Sequence, residues 1–351
     1  MGLFRWLKKK LAPPDPFAAF ESPAARSNAA GGVPGGVEDA AGAARRSPLR
    51  RSRAPHRDGR DAGIGAARFG LDELARRCAG PGIDPLTVEP GYRTFTITKR
   101  NGRPRRIDAP DESTARVQRA ILRRVLGGIP SHGAAHGFER GRSVVTNASV
   151  HVDSAVIVKM DIRNFFGATR AERVLGFYRR FGWDEASAAR LTELTTLRGG
   201  LPQGAPTSPR LANLVNYRLD ASLHALADSV GARYTRYADD MTFSMDEDDA
   251  SILNSIIGIT RDALIDFGYE IHWRKTLHLR RTHQRQTVTG IVVNDGVSLA
   301  RDTRHWLRAV EHHLRTGRAA TLTPTQLAGW RAYEAMIDRG VNDDGTIADE
   351  G

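Results

Sequence analysis

Three carboxylates at the ends of strand-forming segments constrain this chain most strongly. Asp161 lies at the end of the apolar run AVIVKMDI (155–162), which is typical of a buried strand. Asp239 and Asp240 are adjacent in RYTRYADDMTFSM (233–245), whose alternation predicts a hairpin with its turn there. A carboxylate ending a buried strand needs a cation or hydrogen bonds to compensate it, and adjacent carboxylates repel each other. Mg²⁺ binds carboxylate oxygens together with the phosphates of a substrate. The three carboxylates therefore indicate a site for phosphoryl transfer. A turn with ordinary surface acids is the alternative.

A loop rich in Gly and Pro precedes the hairpin. The segment GGLPQGAPTSPRLANL (199–214) leads into a helix that begins near Ser208 and Pro209. Such a loop exposes backbone amides and lets a flat substrate approach closely. Gln203 can hydrogen-bond without carrying charge, which suits contact with a base pair or a sugar. A generic loop before a helix is the alternative, but it requires neither this Gln nor the second Gly.

Five segments in a fixed order resemble the palm of reverse transcriptases. They are DIRNFF (161–166), LPQGAPTSP (201–209), YADD (237–240), GYEIHWRKT (268–276) and VTGIVVN (288–294). The resemblance covers about residues 70–340 and implies an RNA-directed DNA polymerase, which is a nucleotidyltransferase. It also implies an α+β fold with the right-hand polymerase architecture. That architecture comprises fingers, a palm with an antiparallel sheet and flanking helices, and a small helical thumb.

The resemblance implies a metal site and a general acid. Asp161, Asp239 and Asp240 match the metal-binding carboxylates, and the backbone of Ile162 matches a further ligand. The cofactor implied is a pair of Mg²⁺ ions, with Mn²⁺ as the alternative ion. Lys275 matches a lysine that is a candidate general acid for the pyrophosphate leaving group. A surface lysine without a catalytic role is the alternative for that position.

Nucleotide-binding residues follow from the same resemblance. Phe166 matches the steric gate, whose ring would clash with a ribose 2′-hydroxyl and so favour dNTPs, with core packing as the alternative. Gln203 matches a residue near the incoming nucleotide and the template. The segment TFTITKRNGRPRRIDAP (94–110) predicts a strand, a basic turn and a second strand. Its basic residues match the triphosphate clamp of the fingers: Lys99, Arg105 and Arg106. The R-x-I-x-x-P pattern favours Arg105 over its neighbour, and a solvated basic hairpin is the alternative.

Two short strings resemble signatures of retron reverse transcriptases. Asn147 and His151 belong to NASVH, which fits the pattern NAxxH, and Val288, Thr289 and Gly290 form VTG. The resemblance implies that these residues contact a cognate structured RNA. For His151, a hydrogen-bonded helix histidine is the alternative. The resemblance further implies priming from a guanosine 2′-hydroxyl and a branched RNA–DNA product, msDNA, in a system similar to anti-phage defence modules.

Composition and resemblance together divide the chain into four parts. We expect a disordered basic tail rich in Pro, Gly, Ala and Arg over 1–65, because it cannot bury enough apolar surface to offset its ordering entropy. This tail holds 12 Lys and Arg against 6 Asp and Glu. Fingers are expected over 66–150, a palm over 151–295 interleaved with fingers around 170–205, and a small helical thumb over 296–345.

Charge and cysteine content indicate the partners and the compartment. The net charge of +12 favours a polyanionic partner such as nucleic acid. A single cysteine excludes a disulfide scaffold and a cysteine-based zinc cluster. Neither a membrane-spanning apolar run nor a signal peptide is visible. We therefore expect a cytoplasmic protein with no membrane partner.

The expected partners are a cognate non-coding RNA as template and primer, its DNA product and dNTPs. Any effector protein would be a separate chain.

Other functions remain open alternatives on these observations. A group II intron-type maturase has the same palm segments but a larger thumb region. An abortive-infection-type polymerase would make untemplated DNA. A catalytically idle RNA-binding scaffold would not need three clustered carboxylates. A ribonuclease would use carboxylates and Mg²⁺ without needing the LPQG loop, the aromatic gate or the fingers arginines.

Overall fold

The computed structural model describes residues 68–98, 102–272 and 278–340. The helices are α1 (Leu71–Cys78), α2 (Glu112–Arg124), α3 (Val144–Ser149), α4 (Phe165–Ala168), α5 (Ala171–Arg180), α6 (Glu185–Thr195), α7 (Ser208–Val215), α8 (Tyr217–Ser229), α9 (Ala250–Asp266), α10 (Arg301–Arg315) and α11 (Pro324–Arg339). The strands are β1 (Tyr92–Thr98), β2 (Pro104–Pro110), β3 (Val156–Asp161), β4 (Arg233–Tyr237), β5 (Asp240–Met245), β6 (His278–Arg281), β7 (Thr287–Val288) and β8 (Ile291–Val292). The mixture confirms the α+β class. Predictions for the 1–65 tail, Lys99 and Lys275 lie outside the described residues.

A four-stranded antiparallel sheet carries the candidate carboxylates. Its strand order is β4-β5-β3-β6. The central strand β3 pairs with β5 from Val156 opposite Met245 to Asp161 opposite Asp240. Because β3 has a neighbour on each side and packing on both faces, only Lys159 among its side chains is not fully buried. The expected buried strand ending in Asp161 is confirmed.

The turn between β4 and β5 contains two residues. Tyr237 pairs with Asp240, so that Ala238 and Asp239 form the whole turn. Ala238 has a φ of 58°, a positive value of the kind that two-residue hairpin turns require. The predicted hairpin with its turn at this position is confirmed.

The hairpin of β1 and β2 forms a separate two-stranded sheet that contacts the LPQG loop. Its register runs from Tyr92 opposite Pro110 to Thr98 opposite Pro104. The backbone N–H of Asp108 donates to the carbonyl of Gln203 at 2.9 Å. The hairpin predicted over 94–110 is therefore present, and it forms one wall beside the loop.

The sequence LANLVNYRLDASLHALADSVG (211–231) predicts one long helix, but the structure has two helices in this region, α7 and α8, which meet at Asn216. The Nδ2 atom of Asn216 donates to the carbonyl of Ala212 and to the hydroxyl of Tyr269, both at 2.8 Å. Its Oδ1 atom accepts from Arg173 Nη2 at 2.7 Å. Such side-chain hydrogen bonds compete with a regular helix, and they explain the break.

Three short helices and one strand were not expected from the sequence. Helices α3 and α4 have too few residues to show a clear apolar period. The third helix, α5, has ten residues. Strand β6 pairs with β3 at the sheet edge. The sequence RQTVTGIVVNDGVSL (285–299) predicts a strand, a bend and a second strand. In the structure this segment contains the short antiparallel pair β7 and β8.

Two apolar cores lie on opposite faces of β3. Val156, Val158 and Met160 belong to the larger core, which also includes side chains of α1, α2 and the helices from α4 to α9. Ile157 points the other way, as alternation along a strand requires, and joins the smaller core. The smaller core includes Leu307 and Ile337, so that α10 and α11 pack against the rest of the protein through it. None of the helices in the described ranges has the length and apolar character that a bilayer crossing needs.

Candidate active site

Asp161 and the turn between β4 and β5 are neighbours because β3 and β5 are adjacent strands. Asp161 is opposite Asp240 in the register, and the N–H of Ile162 donates to the carbonyl of Asp239 at 2.9 Å. Asp161 is only 8% exposed, whereas Asp239 is half-buried and Asp240 is exposed. The N–H of His272 donates to the carbonyl of Asp161 at 2.9 Å, which places His272 beside the same strand end.

A cleft of about 650 Å³ opens at this end of the sheet. It is lined by predicted site residues from four separate parts of the chain: Arg105, Arg106, Asp161, Ile162, Phe166, Gln203 and Asp239. Asp240 is not among the lining residues. Side chains that the sequence analysis did not name also line it, including Arg103, Asp108, Phe138, Asn164 and His272. The predicted metal site and the predicted nucleotide site thus share one cleft.

The donor atoms of the cleft fit a divalent cation held jointly with phosphates. Asp161 and Asp239 offer carboxylate oxygens, and Ile162 lines the same cleft and offers a backbone carbonyl. Within the described ranges, no group of three or more His, Cys, Asp or Glu side chains is arranged to hold a metal ion. A set of two carboxylates is what Mg²⁺ commonly uses when substrate phosphates supply the remaining ligands. The arginines of β2 and its turn lie in the same cleft and favour such an anionic substrate.

A buried ion pair supports the turn that carries Asp239. The side chains of Arg236 and Asp220 are both fully buried. Arg236 donates through Nε to Asp220 Oδ1 at 2.7 Å and through Nη2 to Oδ2 at 2.5 Å. Its Nη1 atom donates to the carbonyl of Ala238 at 3.0 Å. Burial opposes the charge of Arg236, but the adjacent carboxylate outweighs burial and raises the arginine pKa above its ordinary value. The guanidinium therefore stays charged and links α8 to the turn.

Tyr234 completes this network on the same face of β4. Its hydroxyl donates to Asp220 Oδ1 at 3.0 Å. Burial, reinforced by the charge of Asp220, raises the pKa of Tyr234 well above its usual value, so the phenol remains a donor. Sequence reasoning missed this network, although one signal was present. Alternation along β4 places Arg236 on the face of Tyr234, and a charged side chain on a buried face requires a partner.

A glycine packs directly against the other side of the turn. A Cβ atom on Gly137 would lie 2.8 Å from the backbone nitrogen of Ala238 and 3.3 Å from the carbonyl carbon of Tyr237. The carbonyl of Gly137 accepts a hydrogen bond from Asn213 Nδ2 at 2.7 Å. The turn is therefore held between Arg236 on one side and the backbone of Gly137 on the other.

The predicted gate residue lies in an aromatic group beside the turn. Phe166 is half-buried, and its ring centroid is 6.1 Å from that of Phe138 and 5.5 Å from that of Phe165. Phe165 is 4% exposed and belongs to the larger core. Both phenylalanines line the cleft, but Phe165 belongs to the buried core, whereas Phe166 is half-buried and packs against that core. Its role as a gate stays a prediction.

The LPQG loop approaches the gate helix α4 closely. The N–H of Leu201 donates to the carbonyl of Phe166 at 3.1 Å. A Cβ atom on Gly200 would overlap the carbonyl oxygen of Gly167. Gln203 is half-buried and lines the cleft. The loop therefore brings Gln203 to the same cavity as Phe166, and its contact with nucleotide stays a prediction.

Comparison with known proteins agrees with this geometry. The family model for "Reverse transcriptase (RNA-dependent DNA polymerase)" matches residues 97–304. The retron Mx162 reverse transcriptase of Myxococcus xanthus is 32% identical in an alignment of 327 positions that covers 81% of this chain and 67% of that protein. The retron Ec86 reverse transcriptase of Escherichia coli is 31% identical over 259 residues, which are 72% of this chain and 78% of that protein. The chain belongs to the bacterial retron-type reverse transcriptases.

A further relative extends the comparison. The retron Mx65 reverse transcriptase of Myxococcus xanthus is 35% identical over 265 residues, covering 70% of this chain. The chain spans 61% of that relative's length, compared with 67% and 78% for the two named above. Family membership makes RNA-directed DNA polymerisation the activity of this reverse transcriptase.

Three of the residues predicted to contact RNA lie in the interior of this reverse transcriptase. Asn147 is 1% exposed, and His151 and Val288 are fully buried. The ring nitrogens of His151 are hydrogen-bonded to Ser244 Oγ at 2.8 Å and Thr235 Oγ1 at 2.7 Å. Burial lowers the pKa of His151 to about 3, so the ring is neutral. These three side chains are therefore inaccessible in this structure, which favours the hydrogen-bonded histidine as the interpretation of His151. Their contact with RNA stays a prediction.

The two retron strings nevertheless lie next to each other. Thr289 Oγ1 donates to the carbonyl of Val144 at the start of α3 at 3.1 Å. Thr289 and Gly290 form the turn between β7 and β8, with φ values of 49° and 88°. Gly290 is exposed. The buried residues of the two strings therefore lie beneath this surface turn. RNA contact by Thr289 and Gly290 stays a prediction.

Substituting Gly137 by Ala tests whether the position of the turn matters for catalysis. The added methyl group must displace Ala238, and a displacement of about 1 Å at reacting groups can lower a rate by about 100-fold. We expect Gly137→Ala to lower the rate of DNA synthesis on a primed RNA template by at least tenfold (about 1.4 kcal/mol in the barrier), with the fold retained. Gly133→Ala is the matched control, because a Cβ there meets no atom within 4 Å. Equal rates for the two variants would contradict the role of this contact.

Proposed function

We propose that this reverse transcriptase copies a cognate structured non-coding RNA into branched msDNA by two-metal nucleotidyl transfer, as part of a cytoplasmic anti-phage defence system. The observation that supports the chemistry is the single cleft in which Asp161 and Asp239 face the arginines of the β1–β2 hairpin. The names of the relatives support a retron rather than a group II intron maturase.

The right-hand layout belongs to this proposal. We assign the β1–β2 hairpin to the fingers (66–150), which interleave with the palm around 170–205. The four-stranded sheet with α7, α8 and α9 forms the palm (151–295), and α10 and α11 form the thumb (296–345). The contact of the hairpin with the LPQG loop supports the assignment of the cleft to the junction of fingers and palm.

Asp161 and Asp239 are the residues that would hold the cations, with the carbonyl of Ile162 as a further ligand. When bound, two Mg²⁺ or Mn²⁺ ions neutralise charge on the attacking and leaving oxygens of an in-line displacement at phosphorus. Asp240 is exposed and outside the cleft lining, which supports a role in positioning the primer end and the second ion rather than as a main ligand.

The remaining residues orient the substrates. Arg105 and Arg106 bind the triphosphate through charge-assisted hydrogen bonds, with Lys99 as a third cation from the same hairpin. Gln203 hydrogen-bonds the nascent base pair or sugar. The primer hydroxyl releases its proton to solvent as its oxygen forms a bond to the α-phosphorus of the dNTP. The bond from this phosphorus to the bridging oxygen breaks, and Lys275 supplies a proton to the leaving pyrophosphate. The chain therefore contributes mainly positioning and charge neutralisation.

The nucleic acid that copurifies with the protein tests this proposal. We expect a short, discrete RNA–DNA hybrid whose 2′–5′ linkage is cleaved by a debranching enzyme. Asp239→Ala should keep the RNA and lower the DNA at least about 100-fold, because the cations lose a ligand. Asp246→Ala is the control, since this exposed carboxylate pairs with Arg233 at the far end of β5.

Each other outcome points to a different class. Heterogeneous DNA without an RNA branch would favour an untemplated polymerase, and intron RNA without DNA would favour a maturase. Normal DNA from Asp239→Ala would overturn the assignment of the metal site.

Substituting Phe166 tests the gate. Without the ring, a ribose 2′-hydroxyl no longer clashes, so we expect Phe166→Ala to raise incorporation of rNTPs relative to dNTPs by about 10- to 100-fold. The measurement is kcat/KM for each nucleotide on the same primed template. Phe138→Ala is the control, because this aromatic ring lines the same cleft without matching the gate. An unchanged nucleotide preference in Phe166→Ala would contradict the assignment of Phe166 as the steric gate.

A further inference from the structure

A carboxylate lies among the arginines of the cleft. Asp108 is on β2, two residues beyond Arg106, and it lines the cavity that also contains Asp161 and Asp239. A negative charge at this place repels an anionic substrate. Its presence among the triphosphate-binding cations therefore needs an explanation, which the resemblance to reverse transcriptases did not supply.

One oxygen of Asp108 accepts hydrogen bonds from three segments. Thr94 Oγ1 on β1 donates to Oδ1 at 2.6 Å. Arg106 Nε donates to the same atom at 3.2 Å, and Arg198 Nη1 donates to it at 3.1 Å from the loop between α6 and α7. The side chain of Asp108 is 14% exposed, whereas those of Arg106 and Arg198 are 52% and 57% exposed. A shielded carboxylate thus anchors two solvent-exposed cations.

The backbone of Asp108 lies at the same junction. Its N–H donates to the carbonyl of Gln203 at 2.9 Å, and a Cβ atom on Gly204 would lie 3.0 Å from its carbonyl oxygen. Arg198 has a φ of 52°, a left-handed conformation that is uncommon outside glycine and that a tertiary contact can hold. Asp108 therefore connects the hairpin, the LPQG loop and the loop of Arg198.

We propose that Asp108 is a positioning residue that preorganises Arg106 for the triphosphate of the incoming nucleotide. The guanidinium group is planar and carries five N–H donors, so a hydrogen bond from Nε fixes its plane while other donors serve the phosphates. Holding this side chain before binding removes part of the ordering cost of binding. This inference rests on the proposed function of the cleft in binding dNTPs.

The charge of Asp108 has two effects of opposite sign. Repulsion alone predicts that Asp108→Asn tightens dNTP binding, because one negative charge is removed from the cleft. Preorganisation predicts weaker binding, because Asn keeps the size and one acceptor but loses the charge-assisted hydrogen bonds to Arg106 and Arg198. The direction of the change in KM therefore distinguishes a positioning residue from a mere nearby charge.

The experiment is a dNTP titration of the full-length protein on a primed RNA template. We expect Asp108→Asn to raise the KM for dNTP by about three- to tenfold, with little change in kcat and an unchanged melting temperature. Asp246→Asn is the matched control, since it removes one exposed ion pair outside the cleft. An unchanged or lower KM in Asp108→Asn would overturn the inference.

A double-mutant cycle tests the link to Arg106. Because Asp108 acts through Arg106, Asp108→Asn should add little to the KM of an Arg106→Gln background. Full additivity of the two effects would overturn the link. A wild-type protein that incorporates no dNTP would instead overturn the proposed function, and with it this inference. Wild-type polymerisation with a normal KM in Asp108→Asn would overturn the inference alone.

Discussion

The buried ion pair between Arg236 and Asp220 is the interaction on which the candidate active site depends. Removing one partner of such a pair costs about 3–5 kcal/mol, although the complete pair contributes little net stability compared with apolar packing. Its value here is positional, because the third hydrogen bond of Arg236 goes to the carbonyl of Ala238. That bond fixes the turn, and the pairing of β3 with β5 then places Asp239 next to Asp161.

Three close backbone contacts that leave no room for a side chain join the segments around the cleft. Gly137 lies against the turn, Gly200 against the backbone of Gly167, and Gly204 against β2. Each contact joins segments that are far apart in the chain. Carboxylates consequently face arginines across one cavity, which is the charge arrangement that a triphosphate with divalent cations needs.

The parts of the fold that the sequence predicts are those with strong local signals. The run 155–162 is apolar throughout, the hairpin 233–245 alternates, and the helices that begin at Glu185 and Ala250 follow Asp residues whose side chains cap them. The break at Asn216 could not be predicted, because its hydrogen-bond partners come from other parts of the chain.

The sequence likewise predicts some residues of the candidate site and not others. Residues of the palm and fingers motifs could be named from sequence, and the structure brings five from the palm and two from the fingers into one cleft. The burial of Asn147, His151 and Val288 could not be read from short signature strings, since a string does not show which polar side chains the core satisfies. The roles of Asp108, Asp220 and Arg236 depend on partners that only the folded chain brings together.

Replacing both members of the buried pair by apolar residues tests its positional role most directly. The double variant Asp220→Leu with Arg236→Met should recover most of the stability that either single variant loses, because no unpaired charge remains buried. We expect its rate of DNA synthesis to stay at least tenfold below that of the wild type (about 1.4 kcal/mol in the barrier), because the carbonyl of Ala238 has lost its donor. A double variant that regains stability and full polymerase activity together would contradict this role.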